Sequence, residues 1–270
     1  MGEAIVFTSG KGGVGKTTTI ANIGAGLSQL DKKVVMLDTD MGLRNLDVVM
    51  GLEDRITYNL MDLLDNQCRL NQALIRDKRF PNLYMIPASL NRYNVADYEN
   101  AFRLLIETLK EEFDYCLIDC PAGIDDGFYF AISAADRAIV VTTPHISAVR
   151  DAGRVIDLLE CNQIFQINLL INEADDKMIR NHNMLSVPDI EELLGQKSIG
   201  VIPVDEKIII SQNRGIPVIS LRSKAARRFR LISEELSKAR ANAADLSQEP
   251  EKVPLKLYRF WQGKEVSYET

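Results

Sequence analysis

Short apolar runs alternate with longer segments of helical periodicity along most of this chain. The runs AIVFTS, KVVMLD, YCLIDC, AIVVTT, INLLIN and SIGVIP have the length and β-branched content of strands, whereas TTTIANIGAGLSQL has the length of a helix. Strands that alternate with helices usually pair in parallel, because the helix carries the chain back across the sheet. The pattern therefore predicts an α/β fold with a mostly parallel sheet and helices on both faces, and with ligands at the carboxyl ends of the strands.

The pattern changes after the last strong helix, which is predicted over residues 223–241. The buried stripe of this helix is predicted to comprise Ala225, Phe229, Ile232 and Leu236. Residues 242–253, NAADLSQEPEKV, are small, polar and charged without an apolar period, which is typical of a flexible linker. We therefore expect a single domain over residues 1–241, followed by a linker over residues 242–253.

A second apolar segment follows the linker over residues 254–264. Pro254 suits a first helical turn, and Leu257, Phe260 and Trp261 would share one helix face with cations on the opposite arc. A short amphipathic helix of this kind is suited to an anionic membrane surface, although the two glutamates of the final EVSYET would weaken that attraction. The alternative is a tail that packs on the protein or stays disordered.

The composition indicates one core and restricts the partners. A chain of 270 residues with 46% hydrophobic residues can bury a sizeable core, and its net charge of -6 argues against DNA bound over the whole surface. The exception is a basic cluster at the start of the last helix: Arg222, Lys224, Arg227, Arg228 and Arg230. Such clusters are most often solvated helix faces, and contact with DNA or with anionic lipid are the functional alternatives.

Cysteine usage and hydropathy point to the cytoplasm. Cys68, Cys116, Cys120 and Cys161 have no paired spacing, so we expect reduced thiols and neither disulfides nor a zinc site. No apolar run approaches the about 18 residues of a membrane span, and the N-terminus lacks the features of a signal peptide. We expect a cytoplasmic protein.

The segment GKGGVGKTT between the first strand and the first helix satisfies G-x-x-x-x-G-K-[ST]. Such a loop aims backbone amides and a helix N-terminus at phosphate, so Lys16 would reach the β- and γ-phosphates and Thr17 would bind Mg²⁺. The candidate phosphate-binding residues are Gly10, Lys11, Gly12, Gly13, Val14, Gly15, Lys16, Thr17 and Thr18. A purely structural glycine-rich turn is the alternative.

Carboxylates end two other predicted strands. Asp119 ends YCLID, before a Pro-Ala-Gly loop, and Asp38 and Asp40 follow KVVML. A phosphate-binding loop of this type needs a carboxylate near its metal ion at the end of a neighbouring strand. The three aspartates are candidates for that role, and a helix cap or a turn is the alternative for each.

The segments KGGVGKTT, DTDMGLRNLDVVMG and DCPAG together resemble the deviant Walker A ATPases and, more narrowly, the MinD family of cell-division site regulators. The resemblance extends over residues 3–220, and GLRNLD is its narrowest marker. It implies a P-loop NTPase fold with ATP and Mg²⁺ as cofactors. The partition ATPases and the flagellar-number ATPases share the loops but usually differ at GLRNLD.

The resemblance also implies roles for individual residues. Lys11 resembles the signature lysine that reaches the phosphates bound by the other subunit of a dimer. Asp40 resembles the residue that positions the attacking water. Asp38 and Asp119 support the metal shell with Thr17. The implied catalytic residues are Lys11, Lys16, Asp40 and Asp119.

Other implied contacts lie outside the phosphate loop. Asn45 lies in what would be switch I, and Asn172, Pro203 and Asp205 map onto the adenine site. The chain departs from the family pattern at Gly153, Glu173 and Val204, which affects contacts with the base and with partners.

The function implied by the resemblance is an ATP-dependent dimerising ATPase on the inner face of the cell membrane. It would recruit a MinC-like inhibitor and respond to a MinE-like or other topological regulator. A partition-type or flagellar-number ATPase is the alternative within the fold. A metabolic phosphotransferase is disfavoured by Lys11, and an iron protein with a cluster is disfavoured because Cys120 has no clear second ligand.

Overall fold

The computed structural model describes residues 1–243, and Met1–Ser237 forms one compact unit around an eight-stranded sheet. The strands are β1 Glu3–Thr8, β2 Val34–Asp38, β3 Ile75–Arg76, β4 Leu83–Ile86, β5 Tyr115–Asp119, β6 Arg137–Thr142, β7 Ile167–Ala174 and β8 Ser198–Pro203. Their order is β3-β4-β2-β5-β1-β6-β7-β8, and all neighbours are parallel except β3 and β4. The predicted α/β class is confirmed.

Eleven α-helices lie within the described residues. They are α1 Lys16–Gln29, α2 Leu46–Met50, α3 Leu60–Leu64, α4 Leu70–Ala73, α5 Glu99–Glu112, α6 Asp126–Ile132, α7 Ile146–Cys161, α8 Asp176–Arg180, α9 Val187–Leu194, α10 Glu206–Gln212 and α11 Lys224–Ala243. Two buried clusters cover the sheet, one built with α5 and α7 and the other with α1 and α11. Because successive strand residues point to opposite faces, Ala4 and Val6 join the first cluster while Ile5 and Phe7 join the second.

Helix α11 has the predicted buried stripe. Ala225, Phe229, Ile232 and Leu236 are each at most 3% exposed. The helix covers the first two residues of the predicted linker, and the rest of the linker and the predicted helix over residues 254–264 lie outside the described residues. All five basic residues are exposed, and Arg230 also donates to the carbonyls of Ile219 and Leu221.

The hydropathy pattern gave no prediction for β3 and β4. These short strands pair antiparallel through Ile75 with Met85 and Arg76 with Tyr84, at the edge of the sheet. The loop between them is shaped by Asp77, which is 2% exposed and accepts from the amides of Arg79 and Phe80. A buried carboxylate with local amide partners is a tertiary feature, so apolar periodicity does not reveal it.

None of the four cysteines forms a disulfide; Cys116 and Cys120 are buried and Cys161 is exposed. Burial raises the pKa of the Cys120 thiol to about 12, so this group stays protonated at neutral pH. No helix in the described part of the chain combines the length and the apolar character needed to cross a bilayer.

Candidate nucleotide site

The glycine-rich loop connects β1 to α1 at the carboxyl edge of the sheet. Gly13 and Gly15 have φ angles of 79° and 91°, a region that favours glycine. A Cβ on Gly10 would lie 2.4 Å from the carbonyl oxygen of Asp151, and one on Gly15 would lie 2.3 Å from Nδ2 of Asn172. The loop therefore requires glycine, and it delivers the chain into α1 with the amides of the first turn free to receive an anion.

The two lysines of the loop have opposite environments. The Lys16 side chain is buried, and its Nζ donates to Oγ of Ser9 at 2.9 Å. The Ser9 hydroxyl in turn donates to the carbonyl of Lys11 at 2.8 Å. Lys11 is exposed, and no acceptor for its ammonium lies in the described part of the chain. Lys16 is thus held in place by the loop, whereas the Lys11 side chain is exposed and accessible to a ligand.

Asp38, Asp40 and Asp119, here called the acid edge, lie beside the loop on its β5 side. Asp38 and Asp119 are register partners at the ends of β2 and β5. The Asp119 carboxylate is 2% exposed and is bonded by the Thr17 side chain, while its Oδ1 has no partner among the described residues. Burial, and then the charge of Asp38, raise the pKa of Asp119 to about 8. Such an orphaned oxygen beside a hydroxyl fits a cation.

Asp38 shapes the loop that leads to α2. Its Oδ1 accepts from the amide of Asp40 at 2.9 Å, and its Oδ2 accepts from the amides of Asn45 and Leu46, each at 3.2 Å. Burial raises its pKa to about 6 although these amides favour the charged form. Because its oxygens already have backbone partners, Asp38 suits a supporting position behind a metal ion better than direct ligation.

Asp40 is the more accessible member of the acid edge. Burial raises its pKa, and the nearby charge of Lys16 opposes that shift. Asn45 is exposed at the start of α2 and makes no side-chain cap there. Both side chains are therefore accessible to a ligand on the loop.

A magnesium ion at this edge would need ligands from the nucleotide. The described residues contain no group of three His, Cys, Asp or Glu side chains that could hold a metal ion. Mg²⁺ commonly takes one or two protein oxygens together with phosphate oxygens and water, and Thr17 and Asp119 provide such a pair. The residues present fit Mg²⁺ bound with a nucleotide.

The predicted base-side residues lie on the other flank of the loop. Asn172 on β7 is 5% exposed, its Nδ2 donates to the carbonyl of Val14 at 2.9 Å, and its Oδ1 has no partner among the described residues. Pro203 ends β8 opposite Ala174 of β7. Asn172 thus offers a buried acceptor beside the loop.

Asp205 has a capping role that its motif did not reveal. Its Oδ1 accepts from the amide of Lys207 and its Oδ2 from the amide of Ala225, both at 3.0 Å. Burial opposes ionisation, yet these amides hold the pKa of Asp205 below its ordinary value. Asp205 therefore joins α10 to the start of α11.

A cleft of about 750 Å³ also borders the loop on this flank. Its lining includes Lys11, His145, Glu173 and His182, with the acid edge outside it. Glu173 departs from strand geometry with a φ of 56°. This cleft therefore opens beside Lys11, and the acid edge does not line it.

Two contacts with the loop had no signal in the motif analysis. Ser9 directly precedes the glycine loop and fixes Lys16, as described above. Gln212 reaches the loop from the end of α10, where its Nε2 donates to Oγ1 of Thr18 at 2.5 Å. The separation of 194 positions between Gln212 and Thr18 explains why sequence motifs missed this contact.

The loop, its buried lysine and the parallel sheet define a P-loop nucleotide-binding protein. Residues 2–173 match the family model described as an AAA domain. The septum site-determining protein MinD of Synechocystis is 52% identical over 219 residues, which cover 81% of this chain and 82% of that protein.

Solved structures of MinD proteins also align with this chain. MinD in the MinC:MinD cell division protein complex of Aquifex aeolicus aligns with a TM-score of 0.81 at 38% identity, covering 94% of this chain and 98% of that one. MinD of Pyrococcus horikoshii complexed with Mg-ADP aligns with a TM-score of 0.80 at 30% identity, covering 91% and 100%. The chain belongs to the MinD family of septum site-determining proteins, which are P-loop ATPases.

Proposed function

We propose that this chain is an ATP-dependent switch in which two copies close around two nucleotides. The observation that carries the proposal is the contrast between Lys16, buried against its own loop, and Lys11, exposed without an acceptor in the described part of the chain. One phosphate-binding loop uses one lysine for its own nucleotide. A second, outward-facing cation is useful where a partner brings uncompensated phosphate charge.

Within one protomer, the loop amides of residues 10–18 and the Lys16 ammonium bind the phosphates. Thr17 and Asp119 would hold Mg²⁺, which would neutralise charge on the phosphate oxygens, and Asp38 would support the metal shell. Asp40 orients the attacking water, and Asn45 contacts the γ-phosphate side. These positions agree with the orphaned oxygen of Asp119 and the accessible carboxylate of Asp40.

The base occupies the other flank of the loop. The buried Oδ1 of Asn172 accepts a hydrogen bond from the exocyclic amine of adenine, because a buried acceptor without a partner is otherwise costly. The segment from Pro203 to Asp205 borders the ring, with the Asp205 carboxylate committed to helix amides. Recognition of an amine at C6, where guanine carries a carbonyl, favours ATP over GTP as the substrate of hydrolysis to ADP and phosphate.

The relatives support a proposal about the cellular role. The curated relatives are septum site-determining proteins, and the Aquifex protein was solved in complex with MinC. We propose that this chain positions the division septum by recruiting a MinC-like inhibitor, under a MinE-like or other topological regulator. Two tails over residues 254–264 would hold the dimer on the anionic inner face of the cell membrane, since paired weak anchors bind by effective concentration.

The dimer is tested by Lys11→Ala, with Lys78→Ala as the matched control at an exposed lysine in another loop. Nucleotide affinity and molar mass are measured on the same samples. Lys11→Ala should bind ATP through Lys16 and the amides yet remain monomeric, while the control dimerises like the wild type. A Lys11→Ala protein that still dimerises with ATP would refute the proposed role of Lys11 at the nucleotide of the other copy.

The membrane role is tested by truncation after Glu251. The shortened chain should still dimerise with ATP but should no longer sediment with vesicles of anionic lipid. The full chain should lose vesicle binding in ADP and keep it when DNA is added as a competitor. Displacement of the full chain by DNA would favour the partition-type alternative.

A further inference from the structure

Helix α2 is fixed at both of its ends. At its start, the amides of Asn45 and Leu46 donate to Oδ2 of Asp38. At its end, the carbonyl of Met50 accepts from Nη2 of Arg79 at 2.5 Å. A helix of five residues leaves most of its terminal groups without intrahelical partners, so these contacts decide where it lies.

Arg79 is itself held rigidly on the loop between β3 and β4. Its Nε and Nη2 donate to the two oxygens of Asp77 at 3.1 and 2.6 Å, and Asp77 is 2% exposed. Its Nη1 donates to the carbonyl of Gly215 at 2.7 Å. One planar guanidinium therefore joins three segments, a geometry that a lysine ammonium reproduces only in part.

The segment on the far side of Arg79 leads back to the phosphate loop. The amide of Gly215 donates to the carbonyl of Gln212 at 2.9 Å, which closes a tight turn. Gln212 then donates to the Thr18 hydroxyl, within the GKTT of the loop. Gly51 and Gly215 touch, since a Cβ on Gly51 would lie 2.7 Å from the Gly215 oxygen. The two segments have no room to slide past each other.

We propose that Arg79 is a positioning residue for ATP hydrolysis. It holds α2, and with it the acid edge, in a fixed position relative to the turn 212–215 that supports Thr18. A path of contacts results, from Asp38 through α2, Arg79, Gly215 and Gln212 to the phosphate loop. It is a closed path, because Thr17 of the loop bonds Asp119, the register partner of Asp38. The inference rests on the proposed ATPase function and deepens it, because it assigns the alignment of the water-positioning carboxylate to a residue that does not touch the nucleotide.

The test compares full-length Arg79→Gln and Arg79→Lys with Arg76→Gln. Arg76 lies on the same edge of the sheet and donates to the carbonyl of Pro81, within its own loop. The readouts are ADP affinity by calorimetry, single-turnover hydrolysis of bound ATP, and hydrogen exchange of residues 39–51 with a non-hydrolysable ATP analogue.

Arg79→Gln should bind ADP within about twofold of the wild type, hydrolyse bound ATP about tenfold more slowly, and exchange residues 39–51 about tenfold faster. Arg79→Lys should recover part of the hydrolysis, and Arg76→Gln should match the wild type. Unchanged hydrolysis by a folded Arg79→Gln would overturn the proposal. A purely structural role would instead lower the melting temperature and leave hydrolysis of the bound ATP unaltered.

A second variant tests the same path of contacts if Arg79→Gln does not fold. Gln212→Leu leaves the Arg79 contacts in place and removes the donor to Thr18, so hydrolysis should fall several-fold while residues 39–51 exchange as in the wild type. Normal hydrolysis by Gln212→Leu would overturn the closed path. A wild type that binds ATP without any hydrolysis would refute the proposed ATPase function itself, whereas hydrolysis insensitive to Arg79 and Gln212 would refute this inference alone.

Discussion

The acid edge and the helix-capping aspartates show two opposite uses of the same side chain. Asp119 is buried with one oxygen unpartnered, and burial raises its pKa to about 8. Asp175 and Asp205 accept backbone amides at the starts of α8 and α10, and hydrogen bonding keeps the pKa of each below its ordinary value. For Asp205, burial works against this lowering and is outweighed.

The difference indicates which carboxylates serve the fold and which serve a ligand. A capping carboxylate stabilises the helix that it caps by about 1 kcal/mol. A buried carboxylate with an orphaned oxygen costs stability until a cation or a proton offsets its charge. The acid edge is therefore the part of the molecule that gains most from a bound cation, and four predictions test this contrast.

The largest expected effect follows removal of the Lys16 ammonium, which lies beside the acid edge. Lys16→Ala should weaken ATP binding by a factor on the order of 1000, since two phosphates lose a charge-assisted donor. The fold should survive, because the Lys16 ammonium donates to Ser9 and forms no ion pair with a carboxylate of the described residues. Calorimetry measures the affinity, and micromolar binding by the variant would show that Lys16 is not the phosphate cation.

The next effect concerns Asp40, the accessible member of the acid edge. Asp40→Ala should slow single-turnover hydrolysis about a hundredfold while ATP affinity and dimerisation persist, because the residue acts on the attacking water. Rapid quenching of preloaded protein measures the rate, and Asp126→Ala, at the exposed start of α6, is the control. If Asp40→Ala hydrolyses ATP at the wild-type rate, a group other than Asp40 orients the attacking water.

The third prediction concerns the pH dependence of the nucleotide-free protein. The folded pKa of Asp119 is raised from 3.8 to about 8, so its contribution to stability is full below about 3.8 and is lost as pH rises through about 8. The wild type should therefore melt at lower temperature at pH 9 than at pH 6. Asp119→Asn removes this titration and should melt a few degrees higher than the wild type at pH 9.

Added Mg²⁺ and ATP supply the matching control. They should stabilise the wild type at pH 9 far more than Asp119→Asn, because the variant lacks the carboxylate that holds the cation. Equal slopes of melting temperature against pH in the two proteins would contradict the assignment of the raised pKa to Asp119.

The smallest effect concerns Asp205, on the capping side of the comparison. Asp205→Ala should lower the melting temperature by about 2 to 4 °C, the consequence of losing roughly 1 kcal/mol at a helix cap. Since its folded pKa is lowered, its stabilisation is present above about 3.8 and is lost as pH falls through the folded value. A large loss of ATP affinity with an unchanged melting temperature would instead identify a direct contact with the base.

The sequence predicted the fold class because its physical causes are local. Alternating apolar runs are enough to specify buried parallel strands, and the stripe of α11 follows from its spacing. The glycine loop was equally visible, since positive φ angles at Gly13 and Gly15 can be met cheaply only by glycine. The position of the acid edge followed from where the β2 and β5 runs end.

Tertiary structure decided how these groups are used. Asp38 and Asp40 are two residues apart in sequence, yet folding gives Asp38 three amide partners and leaves Asp40 accessible. Similarly, the motif places Asp205 beside the base, and only the folded chain shows that its carboxylate also links α10 to α11. Local sequence specifies dihedral angles and apolar faces, whereas burial and hydrogen-bond partners arise when distant segments meet. Arg79 and Gln212 owe their contacts with Gly215 and Thr18 to that meeting alone.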